Sequence, residues 1–466
     1  MSDLREPTPE DEAVRDDLTE DARIRADFVK EVQVALDDGD EAAIRTLVGH
    51  LHAADLADVL EFLGSSDRRT LVTVLGESLD PEVLSELEDA TRDDVLSALE
   101  PEAVADAVTR LETDDAVLVL EDMAEDEQQE VLEKLPADDR AAIEEGLAYP
   151  EDTAGRLMQR DLIAVPPFWT VGQTIDYMRE EDDLPDEFYE IFIVDPGHKP
   201  IGTVALNRLM RTKRPVKIEE IMDPDLHVVP VEMDQEDVAH IIAQYNLVSA
   251  PVADGDGRLV GVVTVDDIVD VVEDEAEEDL LAISGVSDGD INISLLDVSK
   301  TRFTWLLVNL GTAILASVVI GLFDTSIEKL VALAVLMPIV ASMGGNAGTQ
   351  TMAVAVRALA TKELTQSNAM RVVNKEVAVS LINGALLAIV IGVVAALWFS
   401  SNELGLIIAV AMIINMFVAG LSGILVPMSL ERAGIDPAVA SSVFVTTITD
   451  VVGFFAFLGL AAWLLL

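Results

Sequence analysis

The sequence predicts a multidomain membrane protein with three parts: an all-α, solenoid-like N-terminal domain, an α+β middle region built from two copies of one unit, and a polytopic α-helical membrane domain of five spans. Three observations predict it. Five hydrophobic stretches, 303–323, 330–356, 377–402, 404–430 and 437–466, are each long enough to cross about 30 Å of hydrocarbon. Charge is divided unevenly: residues 301–466 hold seven Lys/Arg and eight Asp/Glu, whereas 1–300 hold 23 and 78, a formal −55. The middle region repeats itself, with LIAVP at 162–166 returning as LHVVP at 226–230, an offset of 64.

In chain order, 1–22 is a polar, flexible N-terminus with no apolar signal segment, so the first spanning helix directs insertion. From 23 to 148 the chain reads as short amphipathic helices, with apolar residues at three-to-four spacing in LADVLEFL (56–63) and VADAVTRL (104–111). LDPEV at 79–83, LEPEA at 99–103 and LPADD at 135–139 punctuate them. Pro81, Pro101 and Pro136 suit a first helical turn, and Asp80 suits a cap. Such a recurring start suggests stacked helices. Residues 149–272 change period: IFIVDPGHKPIGTVALNRLM (191–210) aligns with SAPVADGDGRLVGVVTVDDIV (249–269), each copy reading strand, helix, strand, turn, strand, helix.

The region 273–302 connects to the membrane domain, 303–466. Before it the run DDIVDVVEDEAEED (266–279), taken as a helix, places Asp267, Asp270 and Asp274 on one stripe and Glu275, Glu278 and Asp279 on another. A solvated face and a divalent-cation site both fit that pattern. A polar stretch with Gly285 and Gly289 follows. Arg357, Lys362, Arg371 and Lys375 between spans two and three, with Lys300, Arg302 and Arg432, set against Lys329 alone, place residues 1–300 in the cytoplasm and the C-terminus outside. Pro338, Gly344, Gly345 and Gly348 would weaken a helix at ASMGGNAGTQ (341–350), or else allow close helix packing.

The chemistry concentrates at Asp450. Thirteen uncharged residues precede it in the last stretch and sixteen follow, so its carboxylate lies near mid-membrane, where a charge costs roughly 2.5–3.5 kcal/mol. No Lys or Arg occurs inside another hydrophobic stretch to pair with it. Thr446 and Thr447, three or four residues back, bring a hydroxyl to the same helix face. Oxygen ligands without sulfur or imidazole suit a hard ion such as Mg²⁺ or Ca²⁺. The acidic surface excludes nucleic acid as a partner. Cys is absent, removing disulfides and thiolate chemistry, and the five His residues form no nucleophile–base signature. No phosphate-binding Gly-x4-Gly-Lys-Ser/Thr string is present.

The duplicated unit resembles a tandem pair of CBS domains. The resemblance implies dimerisation and an adenine nucleotide such as ATP, gripped through a Thr/Ser-x-x-Asp pattern that Thr264 and Asp267 match; the first copy has Ala205 and Arg208 there. The whole chain resembles the MgtE-like Mg²⁺ channels and transporters, through YPEDTAGRLM (149–158), GGNAGTQ (344–350) and DPAVASSVFVTTITDVVG (436–453) in that order. This resemblance implies a homodimer in the cell (inner) membrane, with a pore lined by the second and fifth spans. Asp450 matches the pore carboxylate, and Gly344, Gly345, Asn346, Thr446 and Thr447 are the expected pore lining. It also implies closure by cytosolic Mg²⁺, with Asp234, Glu236, Asp267, Asp270, Glu275, Glu278 and Asp279 as candidate ligands. The expected activity is Mg²⁺ uptake rather than catalysis. A broader divalent-cation carrier or exchanger for Co²⁺ or Mn²⁺ is the alternative, ahead of a membrane-anchored nucleotide sensor.

Overall fold

The computed structural model describes residues 24–121, 123–181, 184–185, 188–284, 295–365 and 367–465. The expected flexible N-terminus at 1–22 and the stretch with Gly285 and Gly289 lie outside the described residues. Two compact units divide the chain between Glu273 and Asp274.

The first unit begins with short helices from Ala26–Asp38 to Ala137–Ala148, closed around a core that includes Val32, Val59, Leu60, Leu71, Leu84, Val95, Val119 and Leu120. Pro101 occupies the first turn of Pro101–Val108, as expected. Pro81 and Pro136 instead sit one residue ahead of Glu82–Ser85 and Ala137–Ala148, while Asp80 accepts from the Glu82 N–H at 3.4 Å. The repeat is carried more clearly by polar side chains, two buried and one half-buried. Arg68 donates Nε–H to the Leu60 carbonyl (2.9 Å) and an Nη2–H to that of Leu63 (3.1 Å). Twenty-four positions later Arg92 does the same to Leu84 (3.2 Å) and Leu87 (2.7 Å), and Gln128 reaches Leu120 (2.7 Å). Each side chain reaches carbonyls at the end of an earlier helix, where the helical ladder runs out. Arg92→Ala orphans two of them and is expected to cost about 2–4 kcal/mol, read as a lower melting temperature. Arg110→Ala, at an exposed site, should stay within about 0.5 kcal/mol of wild type.

The duplication is explicit in the sheets. In the first copy β1 (Ala164–Val165) runs parallel to β2 (Glu190–Val194), which pairs antiparallel with β3 (Pro200–Ala205). In the second, β4 (Val229–Pro230), β5 (Ser249–Ala253) and β6 (Leu259–Thr264) repeat the order and directions. Even the register shift recurs, at Ile193/Val194 and again at Val252/Ala253. β-Branched residues fill both cores, Ile163, Val165, Ile191, Ile193 and Val204 in one, Val229, Val252, Val263 and Ile268 in the other. The last strand leads directly into the acidic helix Val265–Ser284.

The second unit holds the five expected spans, in helices Leu295–Gly321, Ala332–Ala360, Ala369–Phe399, Asn402–Arg432 and Pro437–Leu464. The fourth is the most enclosed and the first the most exposed. Around the fourth, small residues allow close approach: a Cβ on Gly423 would lie 2.7 Å from the Gly348 carbonyl oxygen, and one on Gly348 would lie 2.5 Å from Val445 Cγ1. The second span is therefore one continuous helix through ASMGGNAGTQ, despite Pro338 inside it. Of the two readings of its glycines, close packing is the one realised; the helix is not interrupted.

Candidate functional site

Acidic side chains stand out in both units. In the membrane unit, Asp450 sits half-buried inside the helix Pro437–Leu464, and among the described residues no charged side chain lies against it. Thr446 is exposed beside it. Thr447 donates its hydroxyl proton to the Val443 carbonyl (2.6 Å), leaving oxygen lone pairs as its only free capacity. Thr449, fully buried, donates to the Thr446 carbonyl at 2.9 Å. On the second span Asn346 is exposed and Gly345 half-exposed, with open space where a Cβ would stand. Gly344 turns the other way, buried against Asn415 of the fourth span.

Asn415 was not singled out from the sequence, although an amide inside the apolar run 404–430 was the available signal. Its side chain is wholly buried, its Nδ2 donates to the Val340 carbonyl at 2.8 Å, and its Oδ1 has no partner.

In the first unit the acidic helix begins against the N-terminal helices, and carboxylates gather there that no motif or periodicity marks out. Asp114 is 8% exposed; one of its oxygens accepts from the Asp115 N–H at 3.0 Å and the other has no partner. Burial, followed by Asp267, Asp115 and Glu112, holds its carboxyl well above the usual range. Burial raises Asp115 to about 6, opposed by a bond from Ser85 and reinforced by Glu86, Glu82 and Asp270. Glu112, an exposed residue overall, is raised to about 7 by partial burial of its carboxyl, then Asp115 and Asp267, and its Oε2 accepts from Gln159 at 3.0 Å. Asp267 is raised to about 6 by burial, with Thr264 opposing and Asp266 and Asp115 adding. Among the described residues Glu112, Asp114, Asp115 and Asp267 make no ion pair with Lys or Arg. Burial without counter-charge is costly, so protons or a cation must supply the missing positive charge.

Thr264 and Asp267 are brought together: the Asp267 carboxylate accepts from both the Thr264 hydroxyl and its N–H (3.2 Å), the arrangement of a helix cap. Asp270 lies near Glu86, whose carboxyl rises through burial and then Asp270. Asp234 caps Gln235–Tyr245 and accepts from the Glu236 N–H at 3.0 Å. It also lies near Asp152 of the YPEDTAGRLM segment.

Farther along the acidic helix, within the membrane unit, Asp279 is half-buried, its carboxyl raised by burial, then by Asp436 and Glu275. Asp436 caps the fifth-span helix, accepting from the Ala438 N–H at 2.8 Å. Ala282 packs with Met352, Val356, Ala438 and Val445, so this helix end touches both the second and fifth spans. Glu278 is exposed and Glu275 partly so. Among the described residues no three acidic or His side chains converge closely enough to hold a metal ion by themselves. The seven expected ligands therefore fall into three neighbourhoods, around Asp234, Asp267 and Asp279.

A five-span helical bundle with a mid-span carboxylate, joined to paired α+β units by an acidic helix, defines a membrane cation transporter with an acidic soluble region. Comparison gives the particular family. The profile described as "Divalent cation transporter" matches residues 337–460, "MgtE intracellular N domain" matches 51–152, and "CBS domain" matches 154–214 and 218–274. "Magnesium transporter MgtE" of Enterococcus faecalis is 33% identical over 320 residues, 69% of this chain and 71% of that one. The Thermus thermophilus protein of the same name is 34% identical over 329 residues, 70% and 73% of the two chains. A solved structure described as "Crystal structure of the cytosolic domain of the Mg2+ channel MgtE in complex with ATP" is 32% identical with a TM-score of 0.49. It spans 52% of this chain and 99% of its own. The chain belongs to the MgtE family of magnesium transporters.

Proposed function

We propose that this chain carries Mg²⁺ across the cell (inner) membrane as a homodimer, with residues 1–300 in the cytoplasm and the C-terminus outside. The observation that carries the reading is Asp450, a carboxylate in mid-span with no basic partner among the described residues. Mg²⁺ gives up its water reluctantly, and a carboxylate from each of two subunits can hold it through that water. Thr446, Thr447, Gly345 and Asn346 line the same path, and Gly344 sets its backing. An inside-negative potential supplies about 2.3 kcal/mol per charge per 100 mV, so entry needs no coupled catalysis and the chain acts as a transporter, not an enzyme. The description "Divalent cation transporter" favours a second reading, a carrier that also takes Co²⁺ or Mn²⁺.

Cytosolic Mg²⁺ regulates the path in this reading. It binds at the three acidic neighbourhoods, with Asp234 and Glu236, Asp267 and Asp270, and Glu275, Glu278 and Asp279 as ligands, and it draws on Glu112, Asp114 and Asp115 as well. ATP or another adenine nucleotide binds the CBS pair through Thr264 and Asp267. The corresponding division of labour is a helical domain at 23–148, the CBS pair at 149–272, a connecting helix region at 273–302 and the pore at 303–466.

Uptake by proteoliposomes tests the proposal. Purified full-length chain should admit Mg²⁺ down its gradient when an inside-negative potential is imposed. Absence of flux for Mg²⁺, Co²⁺ and Mn²⁺ alike would remove it, and equal flux for all three would select the broader carrier.

A further inference from the structure

Asn415 is the one fully buried amide in the fourth span, and its setting is unusual on three counts. First, it is wedged between two glycines on two other spans. A Cβ on Gly344 would lie 2.1 Å from Asn415 Nδ2, and one on Gly453 would lie 2.7 Å from the same atom. For both glycines the three nearest atoms all belong to the Asn415 side chain. Second, its amide crosses to the neighbouring helix, donating to the Val340 carbonyl at 2.8 Å, which also fixes which end of the amide is nitrogen. Third, the oxygen at the other end is buried without a hydrogen-bond partner. A side chain selected for stability alone would be apolar here, because an orphaned acceptor in a membrane interior is a net cost. Local features that cost stability gather where function requires them.

The position supplies that function. Gly453 follows Asp450 by three residues, about 4.5 Å along the helix and on a neighbouring face. Gly344 precedes Asn346 by two residues on the second span. We propose that Asn415 is a positioning residue for the ion path: a spacer between Gly344 and Gly453 whose bond to the Val340 carbonyl ties the fourth span to the second while its amide abuts Gly453 of the fifth, one turn from Asp450. It acts through the backbone spacing that places Asp450 and Asn346, not by touching the ion. The inference rests on the reading that Asp450 lies on the path.

Full-length protein in proteoliposomes tests it. Asn415→Leu keeps the wedge's size and removes both the hydrogen bond and the orphaned oxygen. Its melting temperature should match or exceed wild type, while Mg²⁺ flux falls at least tenfold and the Mg²⁺/Ca²⁺ preference changes. Gly344→Ala should lose flux to a similar extent, because the new methyl meets the amide. Gly344→Ala with Asn415→Ala clears that collision and should recover at least to the flux of Asn415→Ala alone. Wild-type flux and ion preference in Asn415→Leu would overturn the assignment. So would a lower melting temperature with unchanged KM and preference, which is the pattern of a merely structural residue. Failure of the double variant to recover would exclude the spacer role. Asp450→Asn runs alongside: full flux there would sink the path reading, while the recovery test still decides the Asn415–Gly344 contact.

Discussion

Replacing Asp450 by Asn or Ala is expected to reduce Mg²⁺ flux at least 100-fold while leaving insertion and the melting temperature intact. The size follows from electrostatics at one water layer. With the carboxylate about 5 Å from a dication and an effective dielectric near 20, the attraction is roughly 6–7 kcal/mol. Losing even half of that weakens occupancy more than 100-fold. Stability should not fall, because no partner loses its counter-charge: among the described residues none faces Asp450. Removing a lone charge from mid-membrane relieves a cost. Tracer uptake at matched protein density, with circular dichroism on the same samples, separates the two effects. Flux within threefold of wild type in both variants would place the path elsewhere in the bundle.

How much of this could be read from the sequence depends on the range of the signal. The five spans and the duplicated unit were legible because a long apolar run and an internal repeat are local patterns that tertiary packing does not reverse. Asp450 was legible for the same reason, as one charge in a long apolar run. Asp114 and Asp115 were not. They stand in the first turn of Thr113–Glu121, where acids usually face water and favour the helix dipole, and only the fold brings Asp267 to them. The acidic run 266–279 fits two readings in the sequence, and in the fold its side chains are unevenly enclosed. Asp267 and Asp279 are partly enclosed with other acids, whereas Asp266, Asp270, Glu273, Asp274, Glu277 and Glu278 are exposed. Arg68, Arg92 and Asn415 escaped notice because their value lies in a carbonyl or a glycine on another helix, and no periodicity records that. The glycines of the second span were visible, but their partners were not.

Neutralising three of the first-unit acids should favour its packed arrangement and weaken its response to both pH and Mg²⁺, with Asp114 left to supply the response that remains. The triple variant Glu112→Gln, Asp115→Asn, Asp267→Asn removes charge while keeping shape, and Asn at 267 can still accept the capping bond. The sign follows from the raised carboxyls. A group whose pKa is higher in the fold supports the fold fully below its unfolded pKa and loses that support as pH rises through the folded value, here about 6 for Asp115 and Asp267 and about 7 for Glu112. Wild type in EDTA should therefore gain melting temperature and protease resistance as pH falls from about 8 to about 5. Millimolar Mg²⁺ at pH 8 should replace the protons, beyond what sodium at equal ionic strength achieves. Magnitudes decide what the variant does. Raising Asp115 from 3.8 to about 6 opposes packing by about 3 kcal/mol once it is ionised, against a few tenths for an exposed like-charge pair. The variant no longer has to bury these three ionised carboxylates, so it should be more resistant than wild type at pH 8 in EDTA and respond less to acid or Mg²⁺. In the proposed gating scheme the packed arrangement is the shut one, and the variant should conduct poorly at low cytosolic Mg²⁺ where wild type conducts. A variant that still needs Mg²⁺ to become resistant would show that other carboxylates, such as those around Asp234 or Asp279, bind the controlling ion.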